Sequence, residues 1–347
     1  MKITKKVLDE LTKCYCIANI MYNNEHHIIV AAEKDDQCYI YNHDLERKAT
    51  IWDGIGGTMS IVPLEGTNGE FLATQQFYSP NDSKNAKIVY VTSDGKYNFK
   101  TRVIAIVPFA HRFDVLKGED GTKYLLICAL KTNHEYKDDW RSPGKTYFTV
   151  LPDDLEHCDV ITEKDCTVIQ ENMLKNHGYY RIVEDGQEKG IVSCDSGVYL
   201  YTPPKKLGDK WNVEQLISDP GSDATLIDLD NDGNKELVVL SPFHGHKLRV
   251  YKLIDKKYKL VKEFPEDMMF LHAIWAGELN GEKVVVIGHR REEMRTIILR
   301  YRNNDYEYDI IDENVGAANV NYFEKDGKQY LIAANRETNE IALYIVE

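Results

Sequence analysis

Two groups of side chains in this sequence could do metal or proton chemistry, and the stretch Leu226–His246, LIDLDNDGNKELVVLSPFHGH, holds members of both. Asp228, Asp230 and Asp232 take the first, third and fifth positions of a loop. Gly233 allows a sharp turn, Asn234 offers a carbonyl, and Glu236 closes at the ninth position. Hard oxygen donors at this spacing suit Ca²⁺. An EF-hand would need a glutamate at the twelfth position and flanking helices; here that position is apolar and both flanks read as strands, so that motif is excluded. The second group is the 11 histidines. Imidazoles gathered at a concave site, with a position left open for water or substrate, are what Zn²⁺ or another first-row divalent ion requires. No HExxH-type spacing joins them, so only the fold can bring them together.

The elements that would do so are strands. Short runs rich in Val, Ile, Tyr and Leu recur between Gly, Asp and Asn. Segments beginning at Asp223, His272 and Ala317 overlay on one another: a strand, a turn with Gly, a very apolar strand, a polar loop and a third strand. The first two add a fourth strand, YKLVKEF and YEYDII, whereas the third reaches Glu347 without one. KITKKVLDE, from Lys2, has the pattern of the missing strand, and KCYCIANIMY then reads as a first strand. Four earlier units, less alike, bring the total to seven, each of roughly 45–50 residues, the range of propeller blades. The expected architecture is all-β: a seven-bladed β-propeller, a single domain over 1–347, closed by the N-terminal strand completing the last blade. Such closure leaves no unpaired edge.

In a propeller, the loops entering first strands and those joining second to third strands share one face, around the channel mouth. This register places His111, His177 and His272 at the starts of the first strands of blades three, four and six, with Asp223 at the same place in blade five. It places His134, His244, His246 and His289 in second-to-third-strand loops; His26, His27, His43 and His157 map elsewhere. His111, His177, His246, His272 and His289 are therefore the candidate transition-metal ligands, with Asp223, His289 and Arg290 the candidate catalytic groups. Arg290, Arg291 and Arg336 follow on the same face and could fork onto hydroxyls or carboxylates. Tyr136 and Trp140 belong to the long loop LKTNHEYKDDWRSPGKTY, which could cover the mouth and stack a sugar ring. The acidic loop falls on the opposite face, where a calcium would be structural.

A formal charge of −13 with no offsetting basic block argues against a nucleic-acid or anionic-membrane partner. No apolar run has the length of a membrane span. The N-terminal stretch MKITKKVLDELTKCYC lacks the features of a secretory signal. Seven scattered cysteines without CxxC pairs suit free thiols in a reducing cytoplasm. Oligomeric state is left open.

The pattern DxDxDGxxE followed by LVVL resembles the FG-GAP or VCBS repeat of integrin-like propellers. Together with HAIWAGEL, IGHR and SPFHGH in a seven-blade ring, it resembles the propeller domain of aldos-2-ulose dehydratases. That resemblance implies a metal-dependent lyase or epimerase on a keto-sugar, in which a metal-polarised carbonyl acidifies the adjacent C–H, a base removes the proton and the β-hydroxyl departs. Two other readings remain: a non-catalytic propeller that binds a carbohydrate or protein, and a metal-dependent sugar lactonase.

Overall fold

The computed structural model describes residues 1–347 and contains seven sheets, six of them with their strands in chain order and one that takes in the N-terminal strand. They are the seven blades of a β-propeller. Adjacent strands are joined by short turns, and several of these have both central residues in the left-handed region: Asn23–Asn24, Asp255–Lys256 and Asn303–Asn304. Such turns match the right-handed twist of the strands they join, and Asn and Asp tolerate this backbone better than most residues.

The second strand of each blade is its core. Val284–Ile287, Leu237–Leu240 and Leu331–Ala334 are fully buried. These strands read as continuous apolar runs because both of their faces are covered, which removes the alternation seen in half-exposed strands. The fourth strands run at the outside and alternate: Lys257–Glu263 is mostly exposed.

Two compact units divide the chain, one comprising Met1–Cys14, Ile191–Tyr199 and Gln215–Glu347, the other Tyr15–Gly190 and Leu200–Glu214. In the first, blades five and six pack through Val238, Leu240, Val285 and Ile287, and blades six and seven through Val284, Val286, Leu331 and Ala333. The last blade has the order expected of it. Strands Ala317–Lys325, Lys328–Asn335 and Glu340–Val346 are completed by Ile3–Glu10, which pairs antiparallel with Glu340–Val346 from Ile3 opposite Val346 to Glu10 opposite Glu340.

The second unit holds an addition that the repeat does not suggest. After the third strand of blade three, Pro143–Val150, the chain runs to the outer edge of blade two. There Ile161–Thr162 pairs parallel with Phe99–Ile106. The Arg102 guanidinium secures the excursion by donating to the carbonyls of Leu155 and Cys158. Blade two is therefore five-stranded. No helix is long and apolar enough to cross a membrane.

Candidate functional site

His272 is the second residue of the strand Leu271–Leu279, and the ladder to Glu282–His289 slips there: Leu271 faces His289, and Ala273 faces Gly288. His272 is thus the extra residue of a β-bulge, a device that re-aims a side chain out of the strand's alternation. Blade seven carries the same irregularity at Ala318, between Ala317 and Asn319. The two bulges meet: His272 Nδ1 lies 2.8 Å from the Ala318 carbonyl. A carbonyl can only accept, so Nδ1 carries the proton and Nε2 keeps its lone pair. Gly288 makes this approach possible, because a Cβ there would sit 2.9 Å from the Ala317 Cβ and 3.1 Å from that of Ala273.

His244 comes to His272 from the second-to-third-strand loop of blade five. Its ring lies between Phe243, at 3.9 Å, and Phe270, at 4.2 Å, and stands 5.6 Å from the His272 ring. The turn Pro242–Gly245 holds it with a left-handed φ of 48°. Its backbone N–H donates to the Ser222 hydroxyl, beside the buried Asp223. The loop therefore delivers an imidazole, and the strand start next to it a carboxylate.

Other expected members have different employment. His289 has both ring nitrogens engaged, Nδ1 by the Arg291 carbonyl at 3.1 Å and Nε2 by the Arg295 backbone N–H at 3.1 Å. In this structure both of its ring nitrogens, expected to serve a metal or a substrate, are spent on holding its own loop. His246 faces Asp267, with Nε2 3.7 Å from its carboxylate. Arg290 is nearly buried and donates through Nε and Nη2 to Glu337 at 3.0 and 2.8 Å, and Arg336 donates to the same oxygen at 2.8 Å. Burial pushes the Glu337 carboxyl up, but the two guanidiniums outweigh it and hold the group below its ordinary range. The face of Phe270 supports Arg290 at 4.7 Å and Arg291 at 4.8 Å. Glu337 is the member that the sequence reading passes over; its place in the blade-seven loop, equivalent to that of Arg291 in blade six, is the available signal.

The second unit repeats the bulge device. In blade three Ala110 faces Ala129 and Arg112 faces Cys128, so His111 is the extra residue. Its Nδ1 donates to the His177 carbonyl at 3.0 Å, and the two buried rings lie 4.5 Å apart. The long loop of this blade is built around Asp139, which accepts Nε and Nη2 of Arg141, each at 2.8 Å. Fully buried Lys131 donates to the Asp139 carbonyl and lies 4.0 Å above the Trp140 ring. One face of Trp140 is therefore taken by an ammonium, and exposed Tyr136 has the Arg141 guanidinium 5.2 Å from its ring.

Carboxylate oxygens of Asp228, Asp230 and Glu236 lie within 4.8 Å of one another, a grouping that could hold an ion. Their oxygens, however, already have donors. Lys252 reaches Asp230 Oδ2, lies 2.8 Å from Asp232 Oδ2 and 3.7 Å from Glu236 Oε1. Asp232 N–H donates to Asp230 Oδ1, and Asn234 N–H to Asp232 Oδ1. Glu236 accepts from Leu229 N–H at 2.6 Å and from the Tyr306 hydroxyl at 3.1 Å. Lys283 takes Asp228 Oδ2 at 2.9 Å, leaving Asp228 Oδ1 buried without a partner. Calcium needs about six to eight oxygen ligands, and in this loop all but one of the carboxylate oxygens already accept from a lysine, an amide or a hydroxyl.

No protein-family model matches the sequence, and no curated protein does. Among solved structures, the chain is similar to the Dos1 propeller, with TM-score 0.56 and 9% identity over 99% of this chain and 94% of that one. It is similar to the Pseudomonas aeruginosa periplasmic gluconolactonase PpgL, with TM-score 0.57 and 10% identity over 93% and 90%. It is also similar to a glucose dehydrogenase, with TM-score 0.53 and 13% identity over 99% of both chains. Identities this low show a shared fold and nothing finer. This chain is a β-propeller.

Proposed function

We propose that this propeller, acting as one domain over 1–347 in the cytoplasm, is a metal-assisted enzyme on a sugar carbonyl, a carbon–oxygen lyase or epimerase. The observation that carries the reading is the His272 hook, which ties Nδ1 to a carbonyl and makes Nε2 the electron-donating nitrogen of a ring that stands beside a second imidazole, His244. Metal-ligating histidines are held by this kind of Nδ1–H bond to backbone. His244 and His272 are the proposed ligands. A first-row divalent ion, when bound, would polarise the substrate carbonyl. Asp223 is the proposed base: it takes the proton from the carbon next to the carbonyl as the β-hydroxyl leaves, and the proton returned to that hydroxyl gives water. The Arg290–Glu337–Arg336 cluster is proposed to place the sugar hydroxyls. Seven free thiols support a reducing compartment.

The names gluconolactonase and glucose dehydrogenase among the similar structures support a sugar-derived substrate. The first also favours a second reading, sugar-lactone hydrolysis, which uses the same polarised carbonyl with water as the nucleophile. Elemental analysis of the purified protein, with His272→Ala and His244→Ala beside it, tests the site. Roughly one Zn, Mn, Fe or Ni per chain, lost in both variants, is expected for a catalytic site of this kind. Keto-sugars yielding ultraviolet-absorbing enones identify the lyase, and acid release from sugar lactones identifies the hydrolase. A metal-free wild-type protein inert in both screens makes it a binding propeller.

A further inference from the structure

We infer that the Lys252 ammonium occupies the place that a DxDxDG loop gives to a divalent ion, so that the acidic turn of blade five keeps its shape without calcium. The turn joins the strands Asp223–Ile227 and Glu236–Ser241, and Lys252 reaches it from the third strand of the same blade, Lys247–Ile254. From that position one ammonium faces the carboxylates of Asp230, Asp232 and Glu236 together. Lys283, on the neighbouring blade, takes the fourth carboxylate, Asp228.

The protonation states agree with this arrangement. Hydrogen bonds to Asp230 and Asp232 raise the Lys252 ammonium above its ordinary range, and the bond from Lys252 lowers the Asp232 carboxyl to about 2. Charge, hydrogen bonds and strand connection are all supplied from within the chain. One carboxylate oxygen, Asp228 Oδ1, is buried without a partner, which gives the inference a second consequence: removing the ammonium turns the loop into a calcium site.

Melting the full-length protein in chelator and in millimolar Ca²⁺ tests this, with equilibrium dialysis against Ca²⁺ alone. For the wild type the same Tm in both solutions and no retained calcium are expected. Lys252→Met keeps most of the side-chain length and loses the charge. Its Tm falls in chelator, calcium restores it, and about one ion binds per chain, as linkage requires. A wild-type Tm that drops in chelator and recovers with calcium overturns the inference, as does a Lys252→Met protein indifferent to calcium. If Lys252→Met does not fold in chelator, refolding on addition of calcium but not sodium supports the inference, and failure to refold with calcium overturns it.

Discussion

An imidazole is defined by what each of its two nitrogens meets, and that divides histidines that look equivalent along the chain. His272 near the start of one strand and His289 at the end of its antiparallel partner share one edge of a blade, yet the first ties Nδ1 to a carbonyl of the next blade and the second spends both nitrogens on its own loop. Burial lowers the His289 pKa, so the folded protein disfavours its charged form. The unfolded chain takes up that proton near the ordinary value of about 6.5. Stability is therefore fully present above that pH and is lost as pH falls through it. In His289→Gln, which cannot titrate, a plot of Tm against pH between neutral and mildly acidic conditions is expected to be shallower than in the wild type. Some slope remains, because burial also depresses His26 and His27. Equal slopes would show that His289 takes its proton without cost to the fold. Sequence locates all of these rings on their blades; it says nothing about which nitrogen is used, because the partners are carbonyls and amides that every residue possesses. The same blindness applies to the acidic loop, where the spacing of carboxylates is visible and the lysine that answers them lies on another strand.

Among the elements, the strands and their grouping into blades were legible, because fully buried second strands leave long apolar runs and Gly, Asn and Asp mark the turns. The bulges at His111, His272 and Ala318 were not, since a one-residue slip in a ladder leaves no trace in composition. Nor was Ile161–Thr162, too short to show any period. Yet the bulge is what turns a strand residue into a hook, and it works only if neighbouring strands approach closely at Gly288. A methyl group at that position must push Ala317 away. Gly288→Ala is expected to cost about 1–3 kcal/mol in a denaturant melt, the usual penalty for overpacking. By drawing Ala318 off His272 it should also lower metal content while the protein is still folded. Unchanged metal content in folded Gly288→Ala would separate the hook from the site.

For the molecule as a whole, the last blade joins segments from far apart in the chain. Lys5 and Glu340 form an ion pair across 335 residues of separation, and the backbones of Lys2 and Glu347 exchange two hydrogen bonds. These ends are close enough for a hairpin turn to join them. A permuted chain that begins at Lys13 and carries residues 2–12 after Glu347 through an Asn-Gly turn should fold with the wild-type Tm or a slightly higher one. A large fall in Tm would mean that the pairing of these strands contributes less than the ladder suggests. Deleting 2–10 instead leaves Glu340–Val346 as a bare edge, and aggregation is expected from it.

That same ladder sets an order of events during synthesis. The strand Ile3–Glu10 leaves the ribosome well ahead of its partner: Lys5 precedes Glu340 by 335 residues. At about 5–20 residues per second, the early strand waits tens of seconds or more without its only ladder partner. It is mostly polar, with two lysines among its eight residues, which makes it poor bait for other chains during the wait.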